Sequence, residues 1–229
     1  MAEVGVAAED ELTAGAPAPD LLSLHETIAG MFAKQGDWRR AYEHLRSALD
    51  IARAGSLRDT LTSSYNRRYL DERLPGLPAS RGLAVALIDL DRFKHVNDTY
   101  GHLLGDRVLC RVADLLQEEL PPEGFCARYG GEEFALVLPG VDAPGAVRIV
   151  EAARTRVARH PWSELQPGLR VTISAGLAHS SAGPVSAQRQ LLRADNLLYA
   201  AKRAGRNKVA YHDRETTRVL PTLSNEKAG

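Results

Sequence analysis

Phe125-Cys-Ala-Arg-Tyr-Gly-Gly-Glu-Glu-Phe-Ala-Leu-Val-Leu138 decides the reading of this chain. Two runs of β-prone residues flank a Gly-Gly pair. That is the sequence form of a tight hairpin whose two turn residues take positive φ without steric cost. Glu132 and Glu133 then stand side by side at the start of the second strand. Adjacent anions repel, and a strand has little local use for them. A cation near the turn reverses that cost, and phosphate-bound Mg²⁺ is the usual partner for carboxylates beside an open backbone. Taken alone, Gly-Gly-Glu-Glu suits a solvated hairpin tip better than a site.

A second acidic cluster shifts that balance. Leu83-Ala-Val-Ala-Leu-Ile-Asp-Leu-Asp91 is a continuous apolar run that suits a strand buried on both faces. It ends in Asp-x-Asp, and side chains two apart in a strand share a face. Asp89 and Asp91 are therefore expected to project together from a strand end, a common place for site residues. Two acidic strand ends, one on a glycine hairpin, can meet and hold a divalent ion.

The rest of the chain supplies a frame. Asn97–Glu119 reads as a turn followed by a helix with Leu104, Val108, Val112, Leu115 and Leu116 inside. Pro144–Arg159 is a second amphipathic helix, Arg170–Ala178 a strand, and Gln188–Ala204 a third helix closed by Gly205. A last strand falls near Lys208–Tyr211. The order strand, helix, hairpin, helix, strand predicts a ferredoxin-like α+β core, a central β-sheet flanked by helices.

The pieces Asp59-Thr-Leu-Thr, Asn66-Arg-Arg, Asp89-Leu-Asp-Arg-Phe-Lys-His-Val-Asn-Asp-Thr-Tyr-Gly-His102, Gly105-Asp106, Arg128-Tyr-Gly-Gly-Glu-Glu-Phe134, Thr172-Ile-Ser-Ala-Gly176 and Ala194–Lys208 follow in order. Together they resemble a GGDEF domain, the catalytic domain of bacterial diguanylate cyclases, over residues 57–213. The resemblance implies a fold related to nucleotidyl cyclases and the polymerase palm. It implies condensation of two GTP into cyclic di-GMP with loss of two pyrophosphates. It further implies that Asp89 and Glu132, helped by the Leu90 carbonyl, hold two Mg²⁺ (or Mn²⁺) ions, with Glu133 either a further ligand or an aid to deprotonation. Asp89, Glu132 and Glu133 are thus the catalytic candidates, and Asp91 either orients the site or only caps the strand end.

By the same resemblance, Asn97 and Asp106 read guanine, since a carboxylate accepts from its N–H donors and an amide can do both jobs. Phe93, His102 and the turn Asn97–Gly105 form the pocket wall, beside Gly130 and Gly131. Lys202 and Arg206 take the β- and γ-phosphates, although cations also suit a helix C-terminus for its dipole alone. Arg203 and Lys208 read as solvated charges. Asp59 and Arg128 resemble a family salt bridge that joins the domain's first loop to the hairpin.

The chain departs from the family pattern in three places. Pro121-Pro122-Glu123-Gly124 replaces an Arg-x-x-Asp that binds product and inhibits, so the inhibitory site is expected to be absent at Pro121 and Gly124. Arg148 and Arg154 on the next helix are the remaining places to look for one. Ser63-Ser64 replaces a common Gly-Leu, and Arg92 and His95 stand where other side chains are frequent.

Residues 1–20 are rich in Ala, Gly, Pro and acid and are expected to be a disordered leader. Residues 21–56 form two amphipathic helices broken at Gln35-Gly36-Asp37, with Trp38, Ala41, Tyr42, Leu45, Ala48 and Leu49 on one stripe. They are similar to one tetratricopeptide unit, or form a plain helical hairpin. A single unit cannot bury its own face, so association or a protein partner is expected there. Residues 214–229 are expected to be a flexible tail.

With 29 basic and 29 acidic residues the formal charge is zero, which gives no reason to expect nucleic-acid or membrane binding. No apolar run reaches spanning length, and the first residues lack a basic signal-peptide region, so a cytoplasmic location is expected. Cys110 and Cys126 lack metal spacing and read as small hydrophobes. Two active half-sites must face each other to join two GTP, so the expected active species is a homodimer. The alternative function is a catalytically silent GTP-binding or interaction module.

Overall fold

The computed structural model describes residues 21–55, 57–77, 82–181, 187–213 and 216–220; the expected leader and the last nine residues of the tail lie outside them. The chain separates into two compact units, Met1–Ser56 and Leu57–Gly229. No described helix is long and apolar enough to cross a membrane.

The first unit is a helical hairpin of α1 (Leu21–Lys34) and α2 (Trp38–Gly55). Gly36 turns the chain at φ 77°, and the Asp37 carboxylate accepts from the Arg40 N–H at 3.2 Å to cap α2. The single stripe expected on α2 divides. Ala41 and Ala48 are buried, and Ala29 of α1 is buried too. Trp38, Tyr42, Leu45 and Leu49 stay exposed, Trp38 at 71%. Small residues let the two helices approach, and the large ones are left facing out. His44 bonds to His25 through their Nδ1 atoms at 2.9 Å and stacks on Phe32.

The second unit is built on a seven-stranded sheet in the order β1-β3-β4-β2-β5-β6-β7. These are β1 (Tyr65–Asn66), β2 (Leu83–Leu90), β3 (Phe125–Arg128), β4 (Glu133–Pro139), β5 (Ile173–Ser180), β6 (Val209–Asp213) and β7 (Thr216–Val219). The inner four strands, β3-β4-β2-β5, are antiparallel neighbours in the ferredoxin-like order. β7 was not legible in the sequence: Thr216–Val219, within the expected flexible tail, pairs antiparallel with β6 from Asp213↔Thr216.

β2 is buried at all eight positions, as a central strand covered on both faces must be. Its even positions, Ala84, Ala86, Ile88 and Leu90, pack with α4 (Phe93–Tyr100), α5 (His102–Gln117) and α6 (Ala143–Arg159). Its odd positions, Leu83, Val85 and Leu87, pack with α3 (Arg67–Arg73) and α8 (Ala187–Arg203). A short helix α7 (Trp162–Leu165) closes the α6 side, where Trp162 donates to the Val157 carbonyl at 2.8 Å.

The sheet and α8 approach backbone to backbone at Gly176 of β5. A Cβ there would sit 2.1 Å from both the Ala194 carbonyl oxygen and the Leu198 nitrogen of α8. Backbone cannot step aside as a side-chain tip can, so only glycine lets α8 lie at this height. Gly176→Ala should therefore destabilise the domain by about 3 kcal/mol through overpacking. Equilibrium denaturant unfolding checks it, and a loss under ~1 kcal/mol would show that α8 can lift freely.

Candidate active site

The alternation along β2 puts Asp89, the next odd position, on the α8 face. Asp89 is 7% exposed, and the Lys202 ammonium of α8 lies 2.8 Å from its Oδ2. Glu133 opens β4 directly opposite Asp89, so the two carboxylates share that face. Glu132 lies one residue before β4, and its carbonyl accepts from the Leu90 N–H at 3.2 Å. Burial pushes the Asp89 carboxyl above the ordinary aspartate range; Asp91 adds to the rise, and Lys202 and Arg206 hold part of it back. Burial likewise raises Glu132, reinforced by Asp89 and Glu133 and opposed by Lys202. Three acids and a lysine thus crowd one sheet end, and burial disfavours the charged forms of Asp89 and Glu132.

The hairpin turn differs from the sequence expectation. Neither Gly130 nor Gly131 has positive φ. The connection is a four-residue loop, 129–132, in which the N–H groups of Tyr129 and Gly130 both donate to the Glu133 carbonyl, at 2.8 and 3.2 Å. Gly130 is needed for space: a Cβ there would lie 2.8 Å from Glu133 Oε2. Gly131 offers its carbonyl, which accepts from Arg128 Nε and Nη2 at 3.2 and 2.7 Å.

Arg128 also donates from Nη1 to both Asp59 oxygens at 3.1 and 3.3 Å, the bridge the sequence pointed to. Burial pushes the Asp59 carboxyl up, but hydrogen bonds from Thr62 and the Arg128 guanidinium outweigh it, leaving it below its ordinary value of 3.8. Ser63 in this loop sits at φ 58°, a conformation that favours glycine. A glycine at position 63 would relieve that strain.

Asp91 lies just past β2 and is a hub, not a cap. Its Oδ1 accepts from Ser174 Oγ at 2.6 Å, and its Oδ2 from Thr172 Oγ1 at 2.7 Å and the Asn207 N–H at 2.9 Å. The Asn207 side chain in turn accepts from Arg154 at 2.6 Å. Arg154 is 3% exposed and also holds Glu151 through Nε and Nη2. This network pins the α8–β6 turn, where Arg206 and Asn207 adopt φ 62° and 47°. Arg154 is therefore unavailable as a surface arginine for product, contrary to one sequence expectation; Arg148 is exposed. Nothing in the sequence marked this buried role of Arg154, since its Asn207 partner is 53 residues away.

Asn97 sits inside the short helix α4, not in a turn; Phe93 and Val96 of that helix are buried and hold it in place. Its Oδ1 is buried without a hydrogen-bond partner. A Cβ at Gly105 would lie 1.9 Å from that oxygen and 3.2 Å from Phe93, so Asn97, Phe93 and Gly105 form one close-packed group. Gly101, at φ 85°, links α4 to α5. His102 opens α5 and is exposed, as is Asp106, which lines a cleft of about 490 Å³ with Leu61, Cys110 and His160. Cys110 is half-buried and its thiol donates to the Leu61 carbonyl at 3.2 Å; the buried Cys126 thiol is pushed up to about 12. In the 121–124 turn, the Gly124 N–H donates to the Pro121 carbonyl at 2.9 Å, and a Cβ at 124 would crowd the Pro121 ring at 3.0 Å.

Residues 56–208 match the family model described as "Diguanylate cyclase, GGDEF domain". The chain belongs to the GGDEF family. It is 38% identical over 168 residues to diguanylate cyclase DgcP of Pseudomonas aeruginosa, covering 71% of this chain and 25% of that protein. The chain spans about a quarter to two fifths of the length of the first curated relatives it matches. Among solved structures, diguanylate cyclase SiaD of Pseudomonas aeruginosa, in complex with its activator SiaC, aligns with TM-score 0.63 and 35% identity, covering 83% of this chain and 76% of that one. The active GGEEF domain of a diguanylate cyclase from Vibrio cholerae aligns with TM-score 0.57 and 34% identity, over 65% of this chain and 97% of that one.

Within this GGDEF domain the Asp59–Arg128 bridge has a defined pH signature. A carboxyl whose folded pKa lies below its unfolded value stabilises the fold fully above about 3.8, and the gain is lost as pH falls through the lower folded value. Asp59→Asn should cost about 1–2 kcal/mol at pH 7. The difference from the parent protein should shrink below pH 3.8, as read by urea unfolding at both pH values. A gap that stays constant in acid would mean the bridge is not what the substitution removes.

Proposed function

We propose that this chain is a diguanylate cyclase that condenses two GTP into cyclic di-GMP and releases two pyrophosphates. The observation that carries the reading is the meeting of Asp89, the Glu132–Glu133 loop and Lys202 at one sheet end of a GGDEF domain. The active GGEEF relative carries the same Glu in place of the family's Asp within the motif.

The donor set fits hard divalent cations. Asp89 and Glu132 offer carboxylate oxygens, the Leu90 carbonyl is adjacent, and the Lys202 ammonium already balances Asp89. Among the described residues no three His, Cys, Asp or Glu side chains close on one point, so these two carboxylates carry the fit, with Glu133 beside them. Two Mg²⁺ or Mn²⁺ ions held there would lower the proton affinity of the attacking 3′-hydroxyl and neutralise the departing pyrophosphate. The raised Asp89 and Glu132 are relieved when a cation binds.

The protein's own groups supply position. Lys202 exchanges Asp89 for the β- and γ-phosphates, with Arg206 beside it. Asn97 and Asp106 read the guanine edge; the partnerless Asn97 oxygen is an acceptor whose cost, about 1–3 kcal/mol, a base N–H would remove after a small shift of the amide. Phe93, His102, Gly130 and Gly131 line the pocket. Glu133, on the face of Asp89, accepts the 3′-hydroxyl proton. GTP as substrate places the protein in the bacterial cytoplasm. No guanidinium fork replaces Arg-x-x-Asp at Pro121–Gly124, so product acts only by competing at this site.

One domain holds one GTP, and the product joins two, so two copies must face each other with two-fold symmetry. The exposed Trp38, Tyr42, Leu45 and Leu49 of α2 suit the hairpin for that association or for a protein partner. SiaD, whose solved structure includes an activator protein, shows that such partners exist for relatives.

Pure protein with GTP and Mg²⁺ should yield cyclic di-GMP by mass spectrometry. Asp89→Asn and Glu132→Gln should each lower the rate on the order of 10²-fold or more while leaving the melting temperature unlowered. Formation of no cyclic dinucleotide by the parent protein would favour the silent GTP-binding module. Deleting residues 1–55 should change how the specific rate depends on protein concentration; identical dilution curves for both forms would exclude a role for the hairpin in association.

A further inference from the structure

Three arginines without partners converge on one cleft beside the assigned phosphate site. The cleft is about 400 Å³ and is lined by Arg92 and His95 from the start of α4, Arg170 from the segment before β5, and Arg206 from the α8–β6 turn, with Tyr100 at its wall. Among the described residues, none of the three guanidinium groups makes a hydrogen bond or an ion pair. The only carboxylate in the lining is Asp91, and its oxygens already accept from Thr172, Ser174 and Asn207. Three cations against one saturated anion leave an excess positive charge in a chain whose formal charge is zero. Arg68, Arg128, Arg154 and Arg156 of the same domain each lie beside an acid, whereas these three share one concave lining whose single carboxylate is already taken.

The three come from segments far apart in sequence, and two of them stand at left-handed backbone positions. Arg92 occupies φ 56° at the N-cap of α4, and Arg206 φ 62° in the pinned turn. Unpaired guanidiniums held apart in a small cleft suit a compact polyanion, which accepts several charge-assisted hydrogen bonds at once. Arg206 ties the cleft to the reactive end of the site, since its charge reaches Asp89.

The geometry points to a pyrophosphate subsite: the cleft of Arg92, His95, Arg170 and Arg206 receives the pyrophosphate split from GTP and holds it before release. The identity of the ligand rests on the cyclase reading; the existence of a polyphosphate site does not. Arg92, His95 and Arg170 lie outside the residues assigned to metal, guanine or the phosphates of bound GTP, so they act on the leaving group after transfer.

The test is calorimetric titration of inorganic pyrophosphate into the full chain in divalent-free buffer, with orthophosphate as a second probe. The parent protein should bind pyrophosphate more tightly than orthophosphate. Arg92→Asn with Arg170→Ala should weaken pyrophosphate about tenfold or more, as loss of two charge-assisted contacts implies; asparagine tolerates the φ of position 92. Arg170→Glu should weaken it further, whereas Arg203→Ala, an exposed arginine outside the cleft, should leave it unchanged. With GTP as substrate, the same double variant should raise the pyrophosphate inhibition constant in parallel and leave the GTP KM within about twofold. Equal pyrophosphate affinity in the parent, the double variant and Arg170→Glu, all with parent-like circular dichroism, would overturn the subsite even if cyclic di-GMP is made. Tight, arginine-dependent pyrophosphate binding without cyclic di-GMP would instead uphold the subsite and overturn the cyclase reading.

Discussion

The carboxylate of Asp91 is shared among three donors from two other segments, and the geometry of the site depends on it. Thr172 and Ser174 hold it to the start of β5, and the Asn207 N–H holds it to the turn after α8. Its own N–H donates to the Thr172 carbonyl at 2.9 Å, closing the same junction from the main chain. A carboxylate whose oxygens are filled in this way has its hydrogen-bonding needs met by its own protein. Asp89, two residues earlier, is left with Lys202 alone. The division of labour between two aspartates of one motif thus follows from what surrounds each. One is filled by its own protein and fixes the frame, and the other remains open to a ligand.

The frame carries a second constraint through Gly176. Because β5 and α8 touch backbone to backbone there, α8 is held at a fixed height over the sheet. Lys202 lies at the last turn of α8, and Arg206 follows on a turn whose left-handed residues are pinned by Asp91 and Arg154. Cation positions are therefore set by contacts made at the middle of the helix and beneath its end. The acids opposite them are set by strand register, Asp89↔Glu133. Helix height and strand register together fix charge against charge, with no help from flexible side-chain networks at the surface.

Much of this was legible in the sequence because local signals agreed with the fold. A continuous apolar run announced β2, and helical periodicity announced α5, α6 and α8. The acids and cations of the site stood at the ends of those elements. What was not legible depended on distance or on packing. Asp91 finds its partners 81, 83 and 116 residues away. Arg154 looked like a surface arginine on an amphipathic helix until Asn207 came under it. Asn97 carried a turn signal, but the burial of Phe93 and Val96 makes the segment helical. β7 lies at the sheet edge with exposed residues, so it has no alternation to read.

The Gly-Gly pair shows why a correct motif can carry the wrong local physics. The pattern suggests a two-residue turn with positive φ, and the loop instead spans four residues with neither glycine left-handed. Its shape is imposed by acceptors. The Glu133 carbonyl takes two N–H groups from the loop, and the Arg128 guanidinium takes the Gly131 carbonyl on one side and Asp59 on the other. Arg128 thereby couples the loop that carries Glu132 to the first loop of the domain. That first loop tolerates a left-handed Ser63, a strain of about 1–2 kcal/mol, because Asp59 is held from both Thr62 and Arg128. Gly130 leaves room for this clamp by clearing the Glu133 carboxylate, whereas a Cβ at Gly131 would meet nothing within 4 Å. A hairpin tip held by an arginine and two carbonyls can present its acids to a ligand without folding around one first.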